Sequence, residues 1–230
     1  TRGKKFLKSI LGASAFLGIP YNALSNNNVS IQNLINNTKK NVSGSMFGFS
    51  TNPIKKVRVA IIGLGNRGTT LLEMFQYLIK NNHAEIIALS DIIEEKVSQA
   101  AAKATLWQNK KPVIYYKSKN EWRKLAKRDD IDLIIIATPW KLHAPMAIYS
   151  MENGKNVASE VPISSTLEDC WNIIEVAERT KKHCMMMENC NYNDEELWVL
   201  NMIQEGVFGD ITHTEGAYLH DLRALLLDDK

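Results

Sequence analysis

Three closely spaced glycines form the motif with the clearest chemical meaning. Gly63, Gly65 and Gly68 follow the apolar run "VRVAII" and precede an apolar pattern of helical period. In such a loop the first glycine permits a tight turn, the second lets the backbone approach a ligand, and the third lets the helix pack close to the strand. The N–H groups at the start of the helix then face an anion. The spacing therefore predicts a loop that cradles the diphosphate of a dinucleotide.

A carboxylate at the end of the next apolar run specifies the nucleotide. Asp91 ends "AEIIALSD", about twenty residues beyond the loop. A carboxylate in this position accepts hydrogen bonds from both ribose hydroxyls and repels a 2′-phosphate, so it predicts NAD rather than NADP. The alternative interpretation of the same residues is a structural glycine turn and a solvated aspartate.

The elements that must position these residues alternate between strand and helix from residue 56 to about residue 190. Apolar, β-branched runs predict buried parallel strands, and the amphipathic segments between them predict helices. The strands are expected at 57–64, 84–91, 112–116, 131–138, 155–160 and 183–189. The helices are expected at 70–80, 93–107, 120–128, 144–154 and 165–182. Right-handed crossovers then give an α/β fold, a Rossmann dinucleotide-binding domain over residues 55–190 with helices on both faces of the sheet.

The last of these helices carries a start signal and an apolar face. Ser165 and Glu168 form a predicted capping box. The face expected to be buried holds Leu167, Trp171, Ile174 and Ala177. The tryptophans expected to pack on helical faces rather than to bind sugars are Trp107, Trp122, Trp171 and Trp198.

Residues 191–230 predict the beginning of a second, α+β domain for substrate. A helix is expected at 194–206 and a strand at 210–220. Little chain follows that strand, so we expect this domain to be truncated.

The first 54 residues have the composition of a leader and a linker. Residues 1–25 combine a basic start, a short apolar stretch and small residues, which is the order of an export signal. They predict a periplasmic or extracellular protein, with the Sec and Tat routes both open and no membrane span in the mature protein. The alternative is a surface helix that is basic at one end. Residues 26–54 are rich in Asn and Ser and predict a poorly ordered linker.

Composition argues against several function classes. The formal net charge is only +3, which argues against a nucleic-acid partner. Three cysteines are too few for a disulfide scaffold, and unreactive thiols are expected. The run "HCMMMENC" matches no standard zinc spacing, so no metal site is predicted.

A longer stretch carries a resemblance to a known family. In "IIIATPWKLHAPMAIYSMENGKNVASEVP" a strand ends in Thr138-Pro139, His143 opens a helix, and a second strand ends in Glu160. This resembles the family of sugar oxidoreductases typified by glucose–fructose oxidoreductase and inositol dehydrogenase. In most of that family the last motif reads Glu-Lys-Pro, whereas this chain has Val161, which cannot donate a proton.

One branch of that family lacks the lysine, the NAD-dependent α-N-acetylgalactosaminidases of glycoside hydrolase family 109. The chain is similar to that branch in "GLGNRG", "TPWKLHAPMA", "SEVP", "LEDCW", "MENCNY" and "LNMIQEGVFGDITHTEGAYLHDLR". The resemblance implies tightly held NAD, export, and a sugar substrate that is a small molecule or the end of a glycan. A homo-oligomer is a further expectation, because open sheets of this type often pair through their second domain.

The reaction that the resemblance implies begins with hydride transfer from C3 of the sugar to NAD. The new ketone acidifies the C2 proton, a base removes it, and the C1 substituent leaves by elimination. Water then adds at C1 and the hydride returns to C3, so the cofactor ends as it began.

The resemblance also implies roles for individual residues. Cofactor contacts are implied for Asn66, Arg67, Asp91, Trp140, Lys141, Leu142, His143, Glu160, Val161 and Asn189. Tyr218 and His220, on one face of the predicted strand, are implied as the proton-handling pair. Substrate contacts are implied for Tyr192, Tyr218 and Arg223.

Structural alternatives to these roles remain open. His220 is otherwise a hydrogen-bonded structural histidine, and Tyr218 an aromatic residue packed in the sheet. Trp140 is otherwise a core residue and His143 a helix cap. Arg223 either binds substrate or pairs with Asp221, its neighbour in sequence.

Two rival functions also remain open. An NAD-dependent sugar oxidoreductase of the same superfamily would accumulate NADH, and both Val161 and export weigh against it. A truncated NAD-binding module would do no chemistry. A glycosidase, in contrast, releases a leaving group without net NADH and exchanges the C2 hydrogen with solvent.

Overall fold

The structure is a computed structural model that describes residues 45–46, 48–190, 193–217, 219 and 221. The strands are β1 (Val57–Ile62), β2 (Ala84–Ser90), β3 (Val113–Tyr115), β4 (Leu133–Ile136), β5 (Asn156–Ser159) and β6 (Cys184–Met186). The helices are α1 (Asn66–Lys80), α2 (Glu94–Gln108), α3 (Glu121–Ala126), α4 (His143–Glu152), α5 (Leu167–Thr180) and α6 (Asp194–Gln204). The described residues fall into two compact units, divided between Met187 and Glu188.

Six parallel strands form one sheet in the order β3-β2-β1-β4-β5-β6. The chain moves outward from β1 to β3 and then crosses back to β4, which pairs with the other side of β1. The strand order therefore reverses between β1 and β4. In open sheets of this kind ligands bind beyond the carboxyl ends of the strands at that reversal. The predicted α/β fold with a Rossmann domain is confirmed.

Alternate residues of the central strands enter two cores on opposite faces of the sheet. On β1, Ala60 and Ile62 join the cluster that α3, α4 and α5 cover, whereas Val59 and Ile61 join the cluster that α1 and α2 cover. All four are at most 2% exposed. Because both faces are buried, the strand reads as a continuous apolar run rather than as alternating apolar and polar residues.

Helix α1 begins directly at the end of the glycine loop. Its first residue is Asn66, whereas the apolar pattern had predicted a start at Thr70. The pattern missed the first turn because Asn66, Arg67 and Gly68 contribute no apolar side chain to the core face.

The start and the buried face of α5 differ from the prediction. Thr166 rather than Ser165 is the N-cap, and its hydroxyl oxygen accepts a hydrogen bond from the Asp169 N–H at 3.1 Å. Leu167 and Ile174 are exposed. The buried residues of α5 are Ile173, Val176 and Ala177. The Thr166 hydroxyl also donates to the Asp169 Oδ2 at 2.8 Å, so the local hydrogen bonds place the cap one residue later than the predicted capping box.

The tryptophan predictions are confirmed in the first unit and wrong in the second. Trp122 is buried, and Trp107 packs against the core. Trp171 is partly buried. Trp198 is 69% exposed, and α6 has no buried residue. An apolar helical face predicts packing without specifying what covers it.

The predicted strand at 210–220 is wrong for the residues that can be examined. Residues 210–217 form neither strand nor helix. A β-strand is stable only beside a neighbour that completes its ladder of hydrogen bonds, and the apolar pattern of one segment does not provide that neighbour.

The N-terminal predictions fall mainly outside the described residues. The export signal at 1–25 and the linker up to residue 44 lie there, so both stay predictions. In the described part of the linker, Met46 packs against the first core cluster and the Phe49 ring lies 5.1 Å from the His183 ring. Among the described residues no helix has the length and apolar character needed to cross a membrane.

Candidate functional site

Two glycines of the loop between β1 and α1 have no room for a side chain. Gly63 has a φ of +90°, and a Cβ there would lie 2.5 Å from the Ala137 carbonyl oxygen. A Cβ on Gly68 would lie 1.9 Å from the Gly63 carbonyl oxygen. Both approaches are too short for a real Cβ atom, so the tight turn and the close helix packing that the sequence predicted both require glycine.

The third glycine is open where the other two are enclosed. A Cβ on Gly65 would meet no protein atom within 4 Å. Gly65 is the N-cap of α1, and the first turn of that helix has neither a capping side chain nor an acidic residue. Its first N–H groups lack intrahelical acceptors, and the positive end of the helix dipole favours an anion. The loop thus fits the diphosphate of NAD in both donors and charge.

Asp91 fixes the glycine loop from the end of β2. Its Oδ2 accepts a hydrogen bond from the Leu64 N–H at 2.6 Å, and its Oδ1 accepts one from the Ile93 N–H at 2.9 Å. A carboxylate has about four acceptor sites, so each oxygen keeps capacity for a ribose hydroxyl. Glu94, at the start of α2, raises the pKa of the Tyr116 phenol through a hydrogen bond. The Asp91 carboxylate would repel a 2′-phosphate, which fits NAD.

An ion pair joins the glycine loop to the end of β5. The Arg67 Nε–H donates to the Glu160 Oε1 at 2.6 Å. Glu160 is buried at 8% exposure, whereas the Arg67 side chain is 44% exposed. The Glu160 N–H also donates to the Ile136 carbonyl at 2.9 Å, which places the carboxylate at the carboxyl end of the sheet. Val161 follows it, partly buried, and leads into Pro162.

The segment after β4 presents two exposed side chains and one buried imidazole. Trp140 is 66% exposed and is therefore not a core residue, and Lys141 is also exposed. Leu142 is partly buried and packs against the first core cluster. His143 is 1% exposed, and both of its ring nitrogens lie within hydrogen-bond distance of backbone carbonyl oxygens. A cofactor contact from His143 would therefore involve its backbone rather than its ring nitrogens.

The remaining predicted site residues belong to the second unit. Asn189 is an exposed residue shortly after β6. Tyr192, Tyr218, His220 and Arg223 lie outside the described residues. Their predicted roles in proton transfer and substrate binding stay predictions.

The structure adds two connections that the sequence did not reveal. The first is the hydrogen bond from Leu64 to Asp91, and the second is the pairing of Arg67 with Glu160, which are 93 residues apart. The only sequence signal for this pair is that Arg67 and Glu160 carry opposite charges. No spacing rule predicts which loops of a parallel sheet come into contact. Together the connections join the loops after β1, β2 and β5.

The three cysteines are free thiols. Cys184 is free, and burial raises the pKa of its thiol to about 11, so it stays protonated at neutral pH. Cys170 and Cys190 are also free. Within the described part of the chain, no three His, Cys, Asp or Glu side chains are placed to share a metal ion.

Comparison with protein families identifies both parts of the chain. Residues 57–188 match the model of the oxidoreductase family with the NAD-binding Rossmann fold. Residues 192–230 match the model of the glycosyl hydrolase 109 C-terminal domain. The resemblance inferred from the motifs is thereby confirmed.

Curated relatives point to the same group. A glycosyl hydrolase family 109 protein of Shewanella sp. (strain ANA-3) is 41% identical over 220 residues, which are 96% of this chain and 46% of that protein. An alpha-N-acetylgalactosaminidase of Bacteroides fragilis is 45% identical over 185 residues, 80% of this chain and 43% of that protein. The chain thus spans under half the length of these relatives.

Solved structures agree on the fold. The scyllo-inositol dehydrogenase of Lactobacillus casei, with bound NAD(H) and scyllo-inositol, superposes with a TM-score of 0.58 at 20% identity, over 69% of this chain and 44% of that one. An NAD-binding protein from Listeria innocua gives 0.53 at 28% identity, over 68% and 42%. The family match over residues 57–188 takes in every strand of the sheet and more than half of the chain. The chain therefore belongs to the oxidoreductase family with the NAD-binding Rossmann fold.

Proposed function

We propose that the protein is a glycosidase of the α-N-acetylgalactosaminidase type that uses NAD as a resident cofactor. The observation that carries this proposal is the junction of an NAD-binding Rossmann domain with a segment that matches the glycosyl hydrolase 109 C-terminal domain. Two curated relatives with this activity in their names support the same class of substrate.

The carboxyl edge of the sheet provides the binding groups that such an enzyme needs. The backbone at Gly65 and the first N–H groups of α1 would hold the diphosphate, and Asp91 would accept from the adenosine ribose. Arg67 adds a positive charge beside the loop, held there by Glu160. Bound NAD would supply a reversible hydride acceptor for C3 of the sugar.

Val161 supports cleavage over simple oxidation. A valine cannot donate or accept a proton, so acid–base chemistry at the sugar must come from other residues. We assign it to His220 and Tyr218, and substrate contacts to Tyr192 and Arg223. A base near C2 removes the proton that the adjacent ketone acidifies, the C1 substituent departs with its bonding electrons, and water later adds at C1.

The match of residues 57–188 to the oxidoreductase family favours a second candidate, an NAD-dependent sugar oxidoreductase. The solved structures with the same fold include dehydrogenases, among them the WlbA dehydrogenase from Chromobacterium violaceum with NADH and UDP-GlcNAcA. That likeness is 24% in sequence and speaks to the fold alone. The two candidates differ in whether NADH accumulates.

The test uses the full-length protein and an aryl α-N-acetylgalactosaminide. Absorbance of the aryl group and of NADH is followed in the same sample. We expect aryl release without net NADH, and loss of most of that release in His220→Gln with bound NAD retained. The matched control is His83→Gln, which alters an exposed histidine before β2 and should leave the rate unchanged. NADH accumulation in step with substrate loss would support the oxidoreductase. If neither aryl release nor NADH appeared, the protein would be an NAD-binding module without catalysis.

A further inference from the structure

We propose that Lys96 is a specificity-determining residue that lets the cofactor site accept a 2′-phosphate, so that the protein binds NADP as well as NAD, though less tightly. The inference concerns the NAD-binding domain, which the family match identifies, and it does not depend on the sugar chemistry proposed above. Asp91 sets the preference for NAD, and Lys96 limits how strongly NADP is rejected.

A cavity of about 430 Å³ lies between the glycine loop and α2. Leu64, Gly65 and Asn66 line one side of it, and Lys96 and Lys103 line the other. Its volume falls in the range of about 300–1,000 Å³ in which proteins bind small molecules. The glycine loop therefore has open space beside it on the side that faces α2.

The cavity adjoins the place expected for the adenosine ribose. Leu64, which lines the cavity, donates its backbone N–H to the Asp91 Oδ2 at 2.6 Å. A carboxylate in the position of Asp91 accepts from the ribose hydroxyls, and in proteins that take NADP a nearby cation accommodates the 2′-phosphate. Lys96 supplies such a cation, five residues beyond Asp91 in the sequence. A group attached to the ribose thus has both space and a positive charge beside it.

The charges around the cavity favour an anion. Among the described residues that line it, two are lysines and none is acidic. Lys103 pairs with Glu73 at 2.6 Å, whereas Lys96 is exposed and forms no ion pair with a described residue. Lys96 is therefore the lining residue whose charge is available to a phosphate.

The carboxylates nearest to Lys96 in sequence have other partners. Glu95 accepts a hydrogen bond at 3.0 Å from a side-chain amide one turn later along α2, and Glu94 is hydrogen-bonded to the Tyr116 phenol. Neither of these glutamates lines the cavity. Asp91 accepts two backbone N–H groups, which stabilise its negative charge and reduce its repulsion of a second anion. The repulsion that disfavours NADP is thus partly offset.

The direct test compares nucleotide affinities of the full-length protein, freed of bound nucleotide, by calorimetric titration. The unaltered protein should bind NAD more tightly than NADP, with NADP binding still measurable. Lys96→Met removes a charged hydrogen-bond donor, so it should weaken NADP binding about tenfold and leave NAD binding within about twofold. The matched control is Lys103→Met, which changes a lysine of the same helix whose charge is paired with Glu73 and should alter neither affinity.

Three results would overturn the proposal. Equal losses of NAD and NADP affinity in Lys96→Met would mean that the lysine contacts a group common to both nucleotides. Unchanged NADP affinity in that variant would mean that the lysine does not meet the 2′-phosphate. Failure of the unaltered protein to bind NADP would mean that the cavity does not admit the phosphate at all.

A pair of smaller nucleotides isolates the 2′-phosphate. Adenosine 2′,5′-bisphosphate carries this group and AMP lacks it, and neither contains the nicotinamide. We expect Lys96→Met to weaken binding of the bisphosphate about tenfold and to leave AMP binding unchanged. In the unaltered protein, added salt should weaken the bisphosphate more than AMP, because Lys96 is exposed and its charge is screened. Equal effects of the substitution on the two nucleotides would contradict the assignment.

Discussion

The two edges of the sheet use their charged residues in different ways. At the amino edge, where strands begin, charged side chains pair with one another. Asp132 accepts three hydrogen bonds from Arg58, from the backbone N–H at 2.8 Å, from Nε at 2.9 Å and from Nη2 at 2.6 Å. Glu85 pairs with Lys56 at 3.2 Å and also with Lys110.

At the carboxyl edge, where strands end, polar groups keep part of their hydrogen-bonding capacity for a further partner. Asp91 is held by backbone N–H groups and has further acceptor sites. Among the described residues, Arg67 contacts Glu160 through Nε, while its side chain is 44% exposed. The start of α1 is uncapped. The difference indicates that charges at the amino edge contribute to stability, whereas those at the carboxyl edge serve a ligand.

The sharpest test of this contrast substitutes two glycines of one loop. Gly68→Ala places a methyl group 1.9 Å from a backbone oxygen, so it should destabilise the fold by about 2–4 kcal/mol and abolish NAD binding. Gly65→Ala meets no protein atom, so it should cost less than about 1 kcal/mol but weaken NAD binding at least tenfold, as a rough estimate. Urea unfolding and NAD titration measure the two quantities.

If Gly65→Ala bound NAD normally, the diphosphate would not lie against this loop. If Gly68→Ala kept full stability, the close contact between α1 and β1 would not be essential.

A pair of charge-removing variants compares the two edges directly. Asp132→Asn removes the charge that Arg58 contacts and should lower the free energy of unfolding by about 2 kcal/mol, with NAD affinity unchanged. Glu160→Gln releases the half-exposed Arg67, so it should cost at most about 1 kcal/mol while weakening NAD binding. Equal effects of the two variants on NAD affinity would remove the distinction between the edges.

Acid should weaken the amino edge first. The hydrogen bond from Arg58 lowers the pKa of Asp132, and the one from Lys110 lowers the pKa of Glu85. A carboxyl whose folded pKa lies below its unfolded value contributes stability that is complete above the unfolded value and is lost as the pH falls through the folded one. Unfolding free energy measured by urea should therefore fall below about pH 4. Asp132→Asn should reduce that slope, and an unchanged slope would contradict the assignment.

The smallest expected effect lies at the start of α5. Thr166→Ala removes the hydroxyl that accepts from the Asp169 N–H and should cost about 1 kcal/mol. The control is Ser165→Ala, the residue that the sequence had favoured as the cap, and it should be near neutral. A larger loss in Ser165→Ala would restore the original prediction.

The fold of the first unit could be predicted from the sequence because each strand and helix is marked by the pattern of its own residues. Strands β1 and β4 are buried on both faces, so their runs are apolar throughout and hard to mistake. The glycine spacing predicted a tight turn and close helix packing that the backbone then showed, since Gly63 and Gly68 are both enclosed.

What the sequence could not predict depends on distant contacts. The pairing of Arg67 with Glu160 joins residues 93 apart, and both partners of His143 are backbone carbonyls, which carry no side-chain signal. The predicted strand was wrong over residues 210–217 for a related reason. Its apolar pattern described one segment, whereas a strand also requires a neighbour.

The most direct test of the account is hydrolysis of an aryl α-N-acetylgalactosaminide by the full-length protein in deuterium oxide. Proton NMR of the released sugar reads the hydrogen at C2. We expect deuterium at C2, because a base removes that proton before the C1 bond breaks and solvent returns it afterwards. A product that keeps its original C2 hydrogen would contradict cleavage through oxidation at C3.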